Sequence, residues 1–211
     1  MLHKDPFIVE PATFELIQKL QKLPELKEFY LVGGTALALQ LDHRNSIDID
    51  LFSQNNFQNE KIINHIVANA FVFDVKFNFE NTIIGFIEKV KVDFIRHGYP
   101  FVNPPITEEG ITYLSKEDIA AMKLNAISNS CKRLKDFIDV YFLLEHFSLG
   151  QMIEFYTIKY PNFNPLIPLK AINYFGDIDP AIDPPKLRKK LPLTEIKKRI
   201  NDSVLHSKKK F

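Results

Sequence analysis

The chemistry open to this chain begins with two aspartates separated by one residue, Asp48-Ile49-Asp50. On an extended strand, residues two apart face the same side, about 6.5–7 Å apart. Carboxylates at that spacing can converge on a pair of divalent cations ~3.5–4 Å apart, an arrangement that promotes phosphoryl transfer. Hard oxygen donors favour Mg2+ or Mn2+ over Zn2+. Aspartate is a poor strand former, so two on one strand need a reason, and metal binding supplies one. Asp93, in Lys91-Val92-Asp93-Phe94-Ile95, projects opposite to Val92 and Phe94. If the two strands are neighbours, it completes a triad of carboxylates.

Upstream lies Gly33-Gly34-Thr35, between a short apolar run and a stretch of helix formers. Glycines let the backbone turn tightly and approach phosphate oxygens. The unpaired N–H groups of the helix that follows face the same spot and would make an anion site, while a plain strand-to-helix turn also accounts for these three residues. Thr35 can cap that helix or donate its hydroxyl to a phosphate. Arg44 and Ser46 offer a forked guanidinium and a hydroxyl to a triphosphate. A turn with Ser46 bonded locally accounts for that spacing equally well. In the second half, Arg133, Asp136 and Asp139 share a helix face, which by spacing alone reads as a surface ion pair. Lys123, among Ala120, Met122 and Leu124, reads as a snorkelling lysine.

These residues need elements to hold them. Helical periodicity runs from Pro11 to Leu23, with Pro11 suited to a first turn. Phe29–Val32 is a short strand, Thr35–Leu41 a helix, Ile47–Phe52 a strand with Ile47, Ile49 and Leu51 facing the core, and Asn59–Ala70 an amphipathic helix. Phe71–Phe79, Thr82–Ile87 and Lys89–Ile95 then predict an antiparallel meander. A Pro-rich link at 100–105 leads to helical signals. Ser115-Lys116-Glu117-Asp118 is a capping box, followed by helices at Ile119–Asn129 and Lys132–Phe147. Shorter, Pro-interrupted helices at Leu149–Phe175, an Asp/Pro-rich connector and a last helix near Thr194–Val204 complete the chain. The expected organisation is α+β over residues 1–105, then an all-helical part over 106–211.

The 211 residues are 45% hydrophobic and 25% charged, enough apolar material for a core without disulfides. Wholesale disorder is excluded on that composition. The single cysteine, Cys131, fits a reducing cytoplasm. No apolar run is long enough to cross a membrane, and the N-terminus has no signal-peptide pattern. Net charge is +1, yet residues 186–211 hold ten Lys/Arg against Glu195 and Asp202. This basic end suits either a polyanionic partner or a solvated tail.

Taken as a set, Val32-Gly33-Gly34-Thr35-Ala36-Leu37-Ala38-Leu39-Gln40 and Arg44-Asn45-Ser46-Ile47-Asp48-Ile49-Asp50-Leu51-Phe52 resemble the signature of the polymerase-β-like nucleotidyltransferase superfamily. The version here resembles the AbiEii/AbiGii toxins of type IV toxin–antitoxin and abortive-infection systems. Lys123-Leu124-Asn125-Ala126 and Arg133-Leu134-Lys135-Asp136-Phe137-Ile138-Asp139 resemble that family's helical-half motif, and the segment from Asn173 through Pro184 its Asp/Pro-rich stretch. The resemblance spans roughly Phe29 to Ile200.

The resemblance implies a nucleotidyltransferase-type mixed or antiparallel sheet with flanking helices. It makes Asp48, Asp50 and Asp93 the catalytic metal ligands for Mg2+ or Mn2+. Gly33, Gly34, Thr35, Arg44 and Ser46 become nucleotide-binding residues. Lys123 becomes a catalytic and nucleotide-binding lysine that neutralises triphosphate charge, and Asp136 an essential aspartate of positional or acid–base role. It further implies an NTP substrate, a tRNA 3′ end or a protein as acceptor, and a cognate antitoxin. Lys135 stands where many relatives carry Arg, and loses bidentate geometry there. Cys131 stands where small residues are common.

Other readings of the paired aspartates fit less well. A glycosyltransferase normally places a larger nucleotide-binding half before the motif, and only 47 residues precede Asp48. A haloacid-dehalogenase-type phosphatase needs a hydrophobic strand leading into its nucleophile, whereas Arg44-Asn45-Ser46 precede here. A catalytically inactive nucleotide- or RNA-binding module of the same fold is the remaining alternative. His43, His65, His97 and His206 have no metal-ligand spacing.

Overall fold

A computed structural model describes residues 1–211. Pro11 opens helix α1 (Pro11–Gln21), where its missing N–H costs nothing, and the helix buries Leu16, Ile17 and Leu20. β1 (Tyr30–Val32) feeds directly into α2 (Gly33–Leu41), whose Ala36-Leu37-Ala38-Leu39 run is wholly buried. Asp42 ends α2 in a left-handed conformation and donates its N–H to the Ala38 carbonyl at 2.9 Å. β2 (Ile49–Ser53) and α3 (Asn59–Ala68) follow.

The chain then forms β3 (Phe73–Phe79), β4 (Thr82–Ile87), β5 (Val90–Arg96), β6 (Ile106–Glu108) and β7 (Ile111–Tyr113). The seven strands make one sheet in the order β3-β4-β5-β2-β1-β7-β6. The meander β3–β5 is antiparallel, as its alternation predicts. β5 returns parallel to β2, β1 lies antiparallel on the other side of β2, and β1 pairs in parallel with β7. The sheet is therefore mixed, and β2 lies inside it, between β5 and β1.

Three local differences from the sequence expectation have physical causes. Ile47, expected to face the core in a strand, is 49% exposed, and β2 starts two residues later. The Ser46 N–H is taken by the Ile8 carbonyl at 2.9 Å and the Asn45 amide by the Phe7 carbonyl at 2.7 Å. This segment is thus tied to the N-terminal stretch before the ladder begins. The hairpin β6–β7 lies where the sequence shows only a Pro-rich link leading to helical signals. Its three-residue strands are too short to show a period, and the turn uses positive φ at Glu109 and Gly110.

Third, only half of the expected capping box forms at the start of α4 (Lys116–Asn129). Ser115 Oγ accepts from the Asp118 N–H, but the Asp118 carboxylate is used elsewhere. It accepts from the N–H groups of Val102 (3.0 Å) and Asn103 (3.1 Å), from Ser115 Oγ (2.8 Å) and from Lys159 Nζ (2.8 Å). Asp118 and Lys159 are both fully buried. A buried ion pair holds only when its remaining hydrogen bonds are met, and here they are: Lys159 also donates to the Pro100 carbonyl.

α4 is followed by α5 (Leu134–His146), α6 (Leu149–Lys159), α7 (Leu166–Ala171) and α8 (Leu193–Leu205). A full capping box does occur, at Ser148 and Gln151 of α6. The chain forms two compact units. The sheet unit comprises Met1–Tyr99 and Pro104–Leu114, and the helical unit Pro100–Asn103 and Ser115–Phe211. No helix is long and apolar enough to cross a membrane.

Candidate active site

In the sheet unit, Asp50 of β2 pairs in register with Asp93 of the parallel strand β5, and with Val32 of β1 on its other side. Registered neighbours project to the same face, so the two carboxylates stand side by side. Asp93 is buried and Asp50 partly so. Asp48, partly exposed, lies one residue before β2.

Opposite Asp50, α2 begins at Gly33, in the left-handed region at φ +70°. A Cβ built on Gly33 would lie 2.2 Å from Asp50 Oδ2. The carboxylate therefore sits directly over the first turn of α2, whose N-cap residue Val32 supplies no side-chain cap. The positive end of the helix dipole favours negative charge there.

Gly34 makes room for a different side chain. A Cβ there would meet Arg44 Nη2 at 2.2 Å and Ser46 Oγ at 3.2 Å. Arg44 is buried and donates from Nη1 to the Asn45 carbonyl at 2.9 Å. Thr35, also buried, donates to the Asp48 carbonyl at 2.5 Å, and its Oγ1 is 2.9 Å from Ser46 Oγ. The carbonyl can only accept, so it takes the Thr35 proton. Thr35, Arg44 and Ser46 thus lock the approach to Asp48 and Asp50 onto the start of α2. The sequence expectation gave these three side chains to a phosphate. Here they are buried and bonded within the protein.

Lys91, which sequence reasoning passed over, lies among the aspartates. Its Nζ donates to Asp93 Oδ2 at 2.7 Å. Burial acts against the ammonium. The hydrogen bond to Asp93 and the charges of Asp93, Asp48 and Asp50 outweigh it, leaving the Lys91 pKa raised. The signal was present in the strand alternation that places Asp93, since Lys91 is two residues earlier and shares its face. As the side chains stand, no group of three or more His, Cys, Asp or Glu gathers as a metal ion would require. The donor set nevertheless suits a hard cation: carboxylates only, with Asp93 Oδ1 buried and lacking any hydrogen-bond partner.

In the helical unit, Lys123 of α4 is buried and bridges two carboxylates of α5, with Nζ 2.6 Å from Asp136 and 2.7 Å from Asp139. The surface ion pair suggested by spacing is in fact a buried cluster, and Lys123 does not snorkel to solvent. Sequence spacing marked Asp139 only as a surface partner, because it cannot show that α4 presents Lys123 to this face of α5. Arg133 approaches Asp136 (3.8 Å) and also Asp183 (3.8 Å). Lys135 pairs with Asp183 as well. Arg133 and Lys135 therefore both fasten the Asp/Pro-rich connector at Asp183. Cys131 is half-buried, its thiol pushed up by burial and by the Asp177 charge, and donates to the Ile127 carbonyl.

Residues 15–191 match the family model described as nucleotidyl transferase AbiEii toxin, type IV TA system. An uncharacterized protein of Aquifex aeolicus, aq_aa25, is 30% identical over 172 residues, covering 77% of this chain and 81% of that protein. Among solved structures, JHP933 from Helicobacter pylori is similar with a TM-score of 0.54 at 16% identity, covering 92% of this chain and 90% of that one. A provisionally assigned nucleotidyltransferase from H. pylori matches at TM-score 0.53 and 16% identity, covering 93% and 94%. At that identity the two structures speak for the fold.

Proposed function

The chain belongs to the AbiEii nucleotidyl transferase toxin family of type IV toxin–antitoxin systems, and from that premise we propose that it moves a nucleoside monophosphate from an NTP to an acceptor hydroxyl at Asp48, Asp50 and Asp93. One observation carries the assignment to this site. The registered Asp50–Asp93 pair stands against a helix start whose first glycine leaves no room for a side chain.

In this reading the acceptor oxygen forms a bond to the α-phosphorus, the bond from that phosphorus to the bridging oxygen breaks, and pyrophosphate leaves. Asp48, Asp50 and Asp93 would hold Mg2+ or Mn2+. When bound, such cations supply Lewis acidity, easing loss of the acceptor proton and offsetting the charge of pyrophosphate. The N-terminus of α2, beside Asp50, carries a positive dipole end that favours phosphate oxygens. Thr35, Ser46 and Arg44 act at one remove, fixing the backbone that carries Asp48 and Asp50. The family motif also implies roles for Lys123 and Asp136, and within the helical unit Lys123 is held between Asp136 and Asp139.

A tRNA 3′ end or a protein is the proposed acceptor, and a cognate antitoxin the proposed regulator, acting in the cytoplasm. The ten basic residues of 186–211 suit an RNA backbone, in which case RNA binding weakens steeply with added salt. The test is to incubate the protein with each α-labelled NTP, Mg2+ and total RNA or total protein, and to follow the label. Label on one macromolecule supports the reading. NTP binding with all label left free supports an inactive binding module instead.

A further inference from the structure

We infer that Lys91 is a resident counter-ion of the carboxylate site, holding Asp93 in the metal-free protein and competing with divalent cations for it. The inference rests on the reading of Asp48, Asp50 and Asp93 given above, and concerns what sets their metal affinity.

Asp50 and Asp93, registered on adjoining strands, and Asp48 one residue before β2 repel one another unless a cation offsets their charge. Lys91 provides one from within the site: it lies two residues before Asp93 on β5, so both side chains leave the same face of the sheet. Its Nζ touches Asp93 Oδ2 at 2.7 Å, and the charges of Asp48 and Asp50 act on it too. Its position across the ladder fits this role. Ile49 is registered with Val92, and the residues just before that pair are Asp48 and Lys91.

The arrangement favours exchange over a permanent bridge. The Lys91 side chain is 38% exposed, whereas Asp93 is only 11% exposed. The flexible lysine has a route into water while the aspartate stays fixed in the strand. The ammonium also satisfies only one oxygen of Asp93. Oδ1 remains buried without a partner, a state that carries a desolvation cost. A divalent cation offers more coordination positions than an ammonium can. A cation that takes Oδ1 while Lys91 keeps Oδ2 is repelled by the neighbouring ammonium, and one that takes both oxygens must first displace it. By either route the positive charge of Lys91 is set against metal binding.

The experiment titrates Mn2+ alone, without nucleotide, into the full chain and follows free Mn2+ by electron paramagnetic resonance. Lys91→Met is expected to bind Mn2+ about fivefold tighter or better than wild type, since a competing positive charge has been removed. Lys89→Met removes an exposed lysine two residues earlier and is expected to leave the affinity within about twofold, because an exposed charge is largely screened. Unchanged or weaker binding in Lys91→Met, or equal tightening in Lys89→Met, overturns the inference. Where Lys91→Met folds poorly, Lys91→Gln keeps bulk and a donor without the charge. The rise in melting temperature caused by saturating Mn2+ is then the second readout, expected to be larger in the variant. An equal or smaller rise overturns the inference.

Asp50→Asn separates the two claims. If it weakens Mn2+ binding while Lys91→Met does not tighten it, Lys91 alone has been misread. If Asp50→Asn binds Mn2+ as wild type does, or wild type binds none, the metal reading of the site fails and this inference fails with it.

Discussion

Gly33 and Asp50 occupy each other's space: a methyl group on the glycine would fall 2.2 Å from the aspartate's Oδ2. Gly33 also holds φ at +70°, a conformation that L side chains adopt at a cost of roughly 1–3 kcal/mol. Gly33→Ala is therefore expected to lower stability by about that amount and to push the carboxylate off the start of α2. Thermal melting checks the first effect and nucleotide transfer the second. A variant of wild-type activity would mean that Asp50 does not need this seat.

Lys123 satisfies two buried carboxylates at once. Lys123→Met leaves Asp136 and Asp139 buried without their ammonium, a loss expected to cost about 3–5 kcal/mol. Adding Asp139→Asn removes one orphaned charge and should restore part of the stability without restoring transfer. Denaturant melts alongside a transfer assay check this. Recovery of both together would reduce Lys123 to a structural role.

The Lys159–Asp118 pair anchors Pro100–Asn103 to α4 and α6, within the helical unit. Lys159→Met should cost about 3–5 kcal/mol by leaving Asp118 charged and buried. Lys159→Met combined with Asp118→Leu should cost less than Lys159→Met alone, although the N–H groups of Val102 and Asn103 then lose their acceptor. A double-mutant cycle in urea measures the difference, and strict additivity would contradict the coupling.

His146 closes α5, and burial, then the Lys116 charge, lowers its pKa. The unfolded chain thus binds a proton there more readily than the folded one. This contribution to stability is complete above about pH 6.5 and shrinks as pH falls toward the lower folded pKa. Melting temperatures between pH 5 and 8 should fall more on the acid side in wild type than in His146→Gln. Parallel curves would contradict the assignment.

The sheet was legible in the chain because its meander repeats apolar residues every second position and turns at Asn81 and Glu88-Lys89. The face of Asp93 was legible for the same reason, since alternation alone put it opposite Val92 and Phe94. The same alternation puts Lys91 on the face of Asp93, but a strand pattern does not show which partner a lysine takes. What the sequence did not carry was burial of charge. Asp118, Lys123, Asp139 and Lys159 are polar in type, and only the approach of α4, α5 and α6 puts them inside. Thr35, Arg44 and Ser46 were readable as a group. Their spacing suits a phosphate or each other equally, and the segment bonded to Phe7 and Ile8 turns them inward.

The proposed reaction cleaves an NTP between its α- and β-phosphates and transfers the nucleotide. The direct measurement gives the purified protein Mg2+, acceptor RNA or protein, and NTP labelled at either the α- or the γ-phosphate. Label should reach the acceptor only from the α-position, with one pyrophosphate released per transfer. Asp50→Asn should slow it about 1,000-fold while its melting curve stays cooperative. Transfer of γ-label, or full activity in Asp50→Asn, would contradict the account.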